Sequence, residues 1–388
     1  MNKKSILIIS LSTFTYDARV KTYAKYLKEK GYDVVIVSSK EKDDEPSEIR
    51  NEFINYRIIK KYQGGSGLSY ILYYLKFLLV CFIKVSGLSF KTKFDLVHYN
   101  NAPNFIIFSA LIPKIRGAKI VLDNHDIFPH VFSSKFNSRF LYKLALLEQT
   151  VSMKFADKII CADHNQKDYL IEEKIPSEKI TVVLNTPNPN FFKRKVEMSP
   201  NSKIKMIYHG TISERLGIDN ILKAIKLVKP HLNDFQFHLI GTGDFLDKVK
   251  QLHKELELGE LVNIYEKNIP VEELSHYLQK MDIGIIANRV TTLSDYMLPV
   301  KLLEYVYSGI PVIAPYNSIL ERYFTKDMLC FYTPENVEEM AEKILFLYKN
   351  PHARKLYAEK ALDFMKQYNY ETEMEKYQHV INQLIHRN

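Results

Sequence analysis

Residues 298–314 read LPVKLLEYVYSGIPVIA, and this stretch decides the fold. Pro299 suits the first turn of a helix, where a missing N–H costs nothing. Gly309 suits a helix end, and IPVIA then reads as a buried strand. Wound at about 100° per residue, residues 300–308 place Lys301, Glu304, Tyr305 and Ser308 on one side. Leu302, Leu303 and Val306 fall on the opposite side, toward a core. The unit is therefore loop, short helix, buried strand, with a cation, a carboxylate and a phenol on the helix's open side. A plainer reading is a solvated face on which Lys301 and Glu304 pair at i and i+3.

The same unit recurs in both directions along the chain. Toward the N-terminus, SILIIS, DVVIVSS, YRIIKKY, FDLVHYN, KIVLDNH, KIICADH and ITVVLN alternate with helical segments at 19–30, 68–85, 103–113 and 138–153. Short apolar runs separated by helices read as parallel strands covered on both faces. Residues 186–203, rich in Pro, Asn and Ser, break the pattern. It restarts with IKMIYHG, FQFHLIGTG, LVNIYEK, MDIGIIAN, IPVIA and LCFYT, and helices fill 335–388. The expected organisation is α/β, with two Rossmann-like, doubly wound domains facing a cleft. Residues 1–190 form the first domain, 191–203 the linker and 204–365 the second domain. Residues 366–388 form a C-terminal helix packing back on the first.

The composition of the 388 residues, 46% hydrophobic and 26% charged, is that of a globular protein. Cys81, Cys161 and Cys330 lie far apart, without metal-ligand spacing, which suits a reducing cytoplasm. The apolar run after MNKK is short and lacks a small-residue cleavage site, so it serves as a first strand rather than a leader. The net charge of +9 is unevenly placed. Residues 1–200 hold 31 Lys and Arg against 20 Asp and Glu, and the remainder is slightly acidic. A basic first half suggests an anionic partner, and no zinc-finger, RNP-type or arginine-rich motif points to nucleic acid. Residues 68–85, LSYILYYLKFLLVCFIKV, read either as a core helix or as a membrane-touching helix with snorkelling lysines.

Polar residues cluster after strands, where open parallel sheets bind ligands. Gly210, Thr211 and Arg215 follow IKMIY, and Gly241 and Gly243 follow FQFHLI. Glycines let a backbone approach a ligand, and Arg grips phosphate with two bonds. Residues 291–300 add a third loop, running into Pro299, Lys301 and Leu302. Helix-start N–H groups and Lys301 suit a diphosphate, and Glu304 suits a pair of ribose hydroxyls. In the first half, Asp123, His125 and Asp126 follow a strand, as do Asn100 and Asn101. Asp17 reads as a helix cap, with Arg19 in the first turn. No HExxH, P-loop or Ser–His–Asp spacing occurs, and strand one has no Gly-x-Gly-x-x-Gly, against a nicotinamide dehydrogenase.

This set of residues resembles the retaining GT-B glycosyltransferases of the family 4 type (glycosyl transferases group 1) across nearly the whole chain. LPVKLLEYVYSGIPVIA is similar to their donor segment, and YHGTISERLGIDNILKAI to the loop and helix opening their second domain. LIGTGDF, VVLNTPN and VLDNHDIFPH are similar to three further segments. The resemblance implies sugar transfer from a nucleotide-sugar, UDP-linked or else GDP-linked, with retention and without a metal or other cofactor. It implies catalytic roles for His125, Arg215 and Lys301, and a ribose contact for Glu304. Donor contacts fall on Gly210, Thr211, Arg215, Gly241, Gly243, Pro299, Lys301, Leu302 and Glu304. Acceptor contacts fall on Asp17, Arg19, Asn101 and Asp126. Tyr296 stands where the family often has a first Glu, and Thr211 where many members have Arg. The expected role is a cytoplasmic enzyme of cell-surface polysaccharide or glycolipid synthesis. Its acceptor is a glycan or lipid-linked, and it makes peripheral contact with the inner face of an anionic membrane. A nucleotide-sugar epimerase of the same fold and a non-catalytic scaffold are the alternatives.

Overall fold

The computed structural model describes residues 3–386 apart from 43–47, 51, 63–66, 102, 134–137, 195–202 and 292–293. The chain forms two compact units, Met1–Leu184 with Glu373–Asn388, and Asn185–Thr372.

The first unit runs β1 (Ser5–Thr13), α1 (Ala18–Glu29), β2 (Asp33–Lys40), β3 (Glu48–Arg50), β4 (Ile54–Lys60), α2 (Gly67–Lys91) and β5 (Leu96–Asn100). A 3₁₀ segment, Asn104–Ala110, leads to α3 (Leu111–Ile115) and β6 (Lys119–Asn124). Then come α4 (Phe128–Ser133), α5 (Arg139–Phe155), β7 (Lys158–Cys161), α6 (His164–Glu172) and β8 (Ile180–Val182). The sheet order is β3-β4-β2-β1-β5-β6-β7-β8. Ile6, Leu7, Ile8 and Ile9 of β1 are fully buried, as a strand covered on both faces requires. The alternation pointed to parallel strands only, but β3 pairs antiparallel with β4. A three-residue strand of this kind blunts the sheet edge.

The second unit runs β9 (Ile204–His209), α7 (Ile218–Val228), β10 (Phe235–Ile240), α8 (Leu246–Glu255), β11 (Val262–Tyr265), α9 (Val271–Leu278) and β12 (Ile283–Ile285). It continues with α10 (Val300–Tyr307), β13 (Val312–Pro315), α11 (Ser318–Tyr323), β14 (Cys330–Tyr332), α12 (Val337–Lys349) and α13 (Pro351–Gln367). All neighbours in the order β11-β10-β9-β12-β13-β14 are parallel. Strand order reverses between β9 and β12, and in the first unit between β1 and β5. Ligands bind beyond the carboxyl ends of strands at such points.

The final helix, α14 (Tyr370–Ile385), crosses from the second unit into the first. Glu373, fully buried, accepts a hydrogen bond from the Leu184 N–H at 2.8 Å. The Tyr377 hydroxyl lies 2.8 Å from His98 Nδ1, and its ring packs on Tyr23 with centroids 4.3 Å apart.

The boundaries differ from the sequence reading. The first crossing falls at Leu184 rather than at 190, and the second at Glu373 rather than at 366. Residues 185–194 join the second unit because Phe192 packs edge-on against Tyr307 and the Lys193 N–H donates to Ser275. Residues 366–372 stay there because Phe364 and Tyr368 pack on Tyr323 and Phe324. Of the expected linker 191–203, residues 195–202 lie outside the described residues.

Candidate functional site

In the second unit the candidate site gathers at the end of β9 and the start of α10. Helix α10 brings Lys301 beneath the β9 end, where Nζ lies 3.8 Å from the centre of the Tyr208 ring. The ring face attracts the ammonium. The Tyr208 hydroxyl donates to the Thr211 carbonyl at 2.8 Å, which fixes the loop that follows. Gly210 sits in that loop at φ +105°, a conformation L side chains rarely adopt, and a Cβ there would stand 3.7 Å from Lys301 Nζ. Lys301 is half-buried and, among the described residues, has no ion-pair partner. Burial, with Arg215 nearby, pushes its pKa down to about 7 against the opposing pull of Glu304.

Glu304 is buried, with His209 Nε2 3.2 Å from its Oε2 but without the alignment of a hydrogen bond. The His209 ring stands edge-on to Tyr305, centroids 5.3 Å apart. Arg215 is exposed, and its Nη1 lies 3.8 Å from Met297 Sδ. Arg289 holds the Arg215 loop. Its N–H donates to the Arg215 carbonyl at 2.9 Å, and its guanidinium grips Asp219 at 2.7 and 2.8 Å. Tyr208 and Arg289 escaped the sequence reading, and His209 was noted among the polar residues after its strand without being given a role. His209 alone carried a signal, being the last residue of a strand before a Gly.

Several expectations for this unit are corrected. Tyr305 and Ser308 are not displayed; both are fully buried, and the Tyr305 hydroxyl donates to the Ile207 carbonyl at 3.4 Å. Helix α10 is covered on nearly every side, so its polar residues face the sheet rather than solvent. Leu302 is buried and its N–H is spent on the Pro299 carbonyl at 3.0 Å, so neither group is available to a ligand. Gly241 and Gly243 serve a neighbouring loop. A Cβ on either would stand 1.9 or 2.0 Å from the carbonyl oxygen of Gly210 or Ile212. Of the loop 291–300, residues 292–293 lie outside the described residues.

In the first unit, the β5 and β6 ends bring His125, Asn101, Asp123 and Asp126 together. Asn101 is buried and acts as a clamp. Its Oδ1 accepts from the N–H groups of His125 and Asp126 at 2.9 and 3.2 Å, and its Nδ2 donates to the Asp126 carbonyl at 2.7 Å. It thus shapes the His125 loop with both ends of its amide, which corrects its expected place on an acceptor. Burial opposes charge on the His125 ring. The Asp123 carboxylate, 3.9 Å from Nδ1, outweighs it and holds the pKa above the ordinary histidine value.

The acceptor roles of Arg19 and Asp17 are also corrected, while the helix-cap reading of Asp17 holds. Arg19 is buried and forks onto Asp123, with Nε–Oδ2 and Nη2–Oδ1 both at 2.7 Å, and also reaches the Val183 carbonyl. Burial alone would raise the Asp123 pKa; the guanidinium overrides it and holds the carboxyl well below its usual range. A fork so engaged has no face left for an acceptor. Asp17 caps α1, accepting from the Val20 N–H at 2.9 Å and from the Ser12 hydroxyl. Among the described residues no three His, Cys, Asp or Glu side chains gather as metal ligands.

Two doubly wound sheets, the second with a cation-bearing helix start at its switch point, define an α/β protein of the GT-B class. The family description Glycosyltransferase Family 4 matches residues 18–190, and Glycosyl transferases group 1 matches residues 190–364. The chain belongs to these glycosyltransferases. It is 24% identical to the amylovoran biosynthesis glycosyltransferase AmsK of Erwinia amylovora, over 45% of this chain and 43% of that protein. It is 22% identical to the chitobiosyldiphosphodolichol beta-mannosyltransferase of Kluyveromyces lactis, over 82% of this chain and 77% of that one. The crystal structure of Anabaena HepE in complex with UDP and glucose superposes with a TM-score of 0.72 at 14% identity, covering 98% of this chain and 100% of that one.

Proposed function

We propose that the chain transfers a hexosyl or related sugar from a nucleotide-sugar, UDP-linked by preference, to a glycan or lipid-linked acceptor with retention. It does so at the cytoplasmic face of an anionic membrane, in cell-surface polysaccharide or glycolipid synthesis. The observation that carries the reading is Lys301: a half-buried ammonium on an aromatic face, beside a second cation and a positive-φ glycine, with no carboxylate paired to it among the described residues. Leaving a cation so placed is costly unless an anion completes the site. A nucleotide diphosphate is such an anion, and the UDP bound to the HepE structure supports the choice of base. The acceptors suggested by the relatives' names, a dolichol-linked sugar and a polysaccharide, support a lipid or glycan acceptor.

In this mechanism the sugar C1–O bond to the diphosphate breaks, and its electron pair stays on the phosphate oxygen. Lys301 and Arg215 neutralise the charge that develops there, an effect worth more in the transition state than in the bound donor. The acceptor oxygen bonds to C1 on the face the phosphate leaves, and its proton passes to that phosphate. Glu304 accepts hydrogen bonds from the ribose. His125, held by Asn101 and kept basic by Asp123, contacts the sugar. No metal is called for.

The test is Glu304→Ala and Arg215→Ala in the full chain, with transfer and thermal melting followed side by side. Both variants are expected to lose transfer while melting cooperatively; normal turnover in either refutes the assignment. Product formed from donor alone would mark an epimerase, and failure to bind any nucleotide diphosphate would mark a scaffold.

Lys301 also sets a pH dependence. Its pKa near 7 in the free protein must rise when a diphosphate binds, so binding takes up a proton above that value. Affinity for UDP is expected to approach its full value below pH 7, to be about half that at pH 7, and to fall by up to about tenfold per pH unit toward pH 9. Isothermal titration in buffers of different ionisation enthalpy reads both the affinity and the proton uptake. A flat profile would show that the ammonium does not meet the phosphates.

A further inference from the structure

We infer that α2, α3 and α5 of the first unit form one docking face for an anionic lipid bilayer. The chain lies on the membrane by this face rather than spanning it. The inference deepens the membrane part of the proposed function and is independent of the transfer chemistry.

The three helices share one side of the sheet. The crossovers β4-α2-β5, β5-α3-β6 and β6-α5-β7 all advance in one direction across the strand order, and right-handed connections place them together. The crossover β1-α1-β2 runs the other way, so α1 and its partner α14 cover the opposite side. Contacts bear this out. The 3₁₀ segment 104–110 packs between α2 and α5, with Phe108 and Phe155 ring centroids 5.2 Å apart. The Arg116 guanidinium, just past α3, lies 5.6 Å from the Phe90 ring of α2.

Each helix turns an apolar stripe outward. On α5 the stripe is Phe140, Leu144, Leu147 and Val151, at helical spacing, with Phe140 74% exposed. On α2 it includes Leu72, Leu75, Leu79, Ile83 and Phe90, and on α3 Leu111 and Ile115. Apolar surface contiguous over three helices marks an interaction site. Among the described residues, α2 alone passes as a spanning helix by length and composition. Its inner side forbids that, since Phe77, Cys81, Val85 and Ser89 are sealed into the unit. Only the outer half can meet lipid.

Charge selects the occupant. Residues 67–91, 104–116 and 139–155 carry eight Lys and Arg and a single acid, Glu148. Burial raises the Glu148 carboxyl to about 7, so even that charge is partial near neutrality. Lys76, Lys91, Lys143 and Lys154 are exposed beside the stripes, where long cationic side chains reach headgroups while their stems lie on apolar surface. A second copy of the chain is a poor fit, because a self-complementary interface would set cations against cations.

The test is co-sedimentation of the full chain with vesicles of phosphatidylcholine alone, or of phosphatidylcholine and phosphatidylglycerol in equal parts. Binding is expected to the anionic vesicles, weakening as salt rises, and to be slight on the neutral ones. The triple variant Leu79→Glu, Ile83→Glu, Leu147→Glu is expected to lose at least tenfold in vesicle affinity with its melting temperature and UDP affinity unchanged. Should it fail to fold, Lys76→Ser with Lys91→Ser and Lys143→Ser keeps the stripes and is expected to flatten the salt dependence. Wild-type protein that ignores anionic vesicles at low salt overturns the inference. So does a dimer, or a complex with an integral membrane protein, that the triple variant dissolves while vesicle binding persists. UDP affinity on the same samples tests the transfer reading separately.

Discussion

Lys301→Ala is expected to lower kcat by about 10²- to 10³-fold while the free protein melts no lower than wild type. The two halves of this result come from one fact. Nζ sits on the Tyr208 ring, 3.8 Å from its centre, with burial and Arg215 both acting against its charge. In the free protein that ammonium costs stability, so its removal leaves the fold unharmed or firmer. In the reaction the same ammonium faces the oxygen on which negative charge grows, in a site that needs no rearrangement to receive it. Steady-state kinetics with melting curves, with and without UDP, check both halves. The UDP-induced rise in melting temperature should shrink in the variant. A higher KM at unchanged kcat would mean that Lys301 only binds, and a lowered melting temperature would mean that it only packs. Lys301→Arg should recover part of the rate, since guanidinium also rests well on an aromatic ring but delivers its charge over a wider fork.

Arg19→Ala is expected to destabilise the first unit by about 3–5 kcal/mol. For a unit of this size that lowers its melting temperature by about 6–20 °C. The variant strands the Asp123 carboxylate, fully buried, with two histidines 3.8 and 3.9 Å away to answer it among the described residues. Arg19 also ties α1 to the chain after β8 through the Val183 carbonyl, so both the charge balance and a long-range tether go. Thermal or urea unfolding measures the loss, which should be sensitive to the partner. Replacing Asp123 and Arg19 together with apolar residues of similar size should cost far less than Arg19→Ala alone. Stability unchanged and transfer lost would instead return Arg19 to the acceptor.

The Arg19–Asp123 pair shows where a sequence reading ends. The two residues are 104 positions apart, and nothing local says that a helix's first turn meets a strand's end. The alternation of short apolar runs with helices is local, and it made both doubly wound sheets and the position of α10 legible. The strand ends that hold Gly210, Arg215, Lys301 and His125 were legible for the same reason, because strand ends follow from strands. What was lost is everything set by a second element packing over the first. Helical phase marked Tyr305 and Ser308 as displayed, but both are sealed inside the unit, Tyr305 against the Ile207 carbonyl of β9. Gly241 and Gly243 announced a close approach correctly, yet the approaching backbone is Gly210–Ile212. Asn101 has the right chemistry for a ligand and spends it on the His125 loop, whereas the local helix cap at Asp17 was legible.

The route of α14 has a consequence for how the protein is made. The second unit is continuous, Asn185–Thr372, whereas the first needs Glu373–Asn388 to seal Tyr23, His98 and the Leu184 N–H. A ribosome therefore delivers the earlier half unfinished, with aromatic surface still open until residues 373–388 follow. Domains usually mature in the order of their synthesis; here the first unit can close only after the whole of the second has been made.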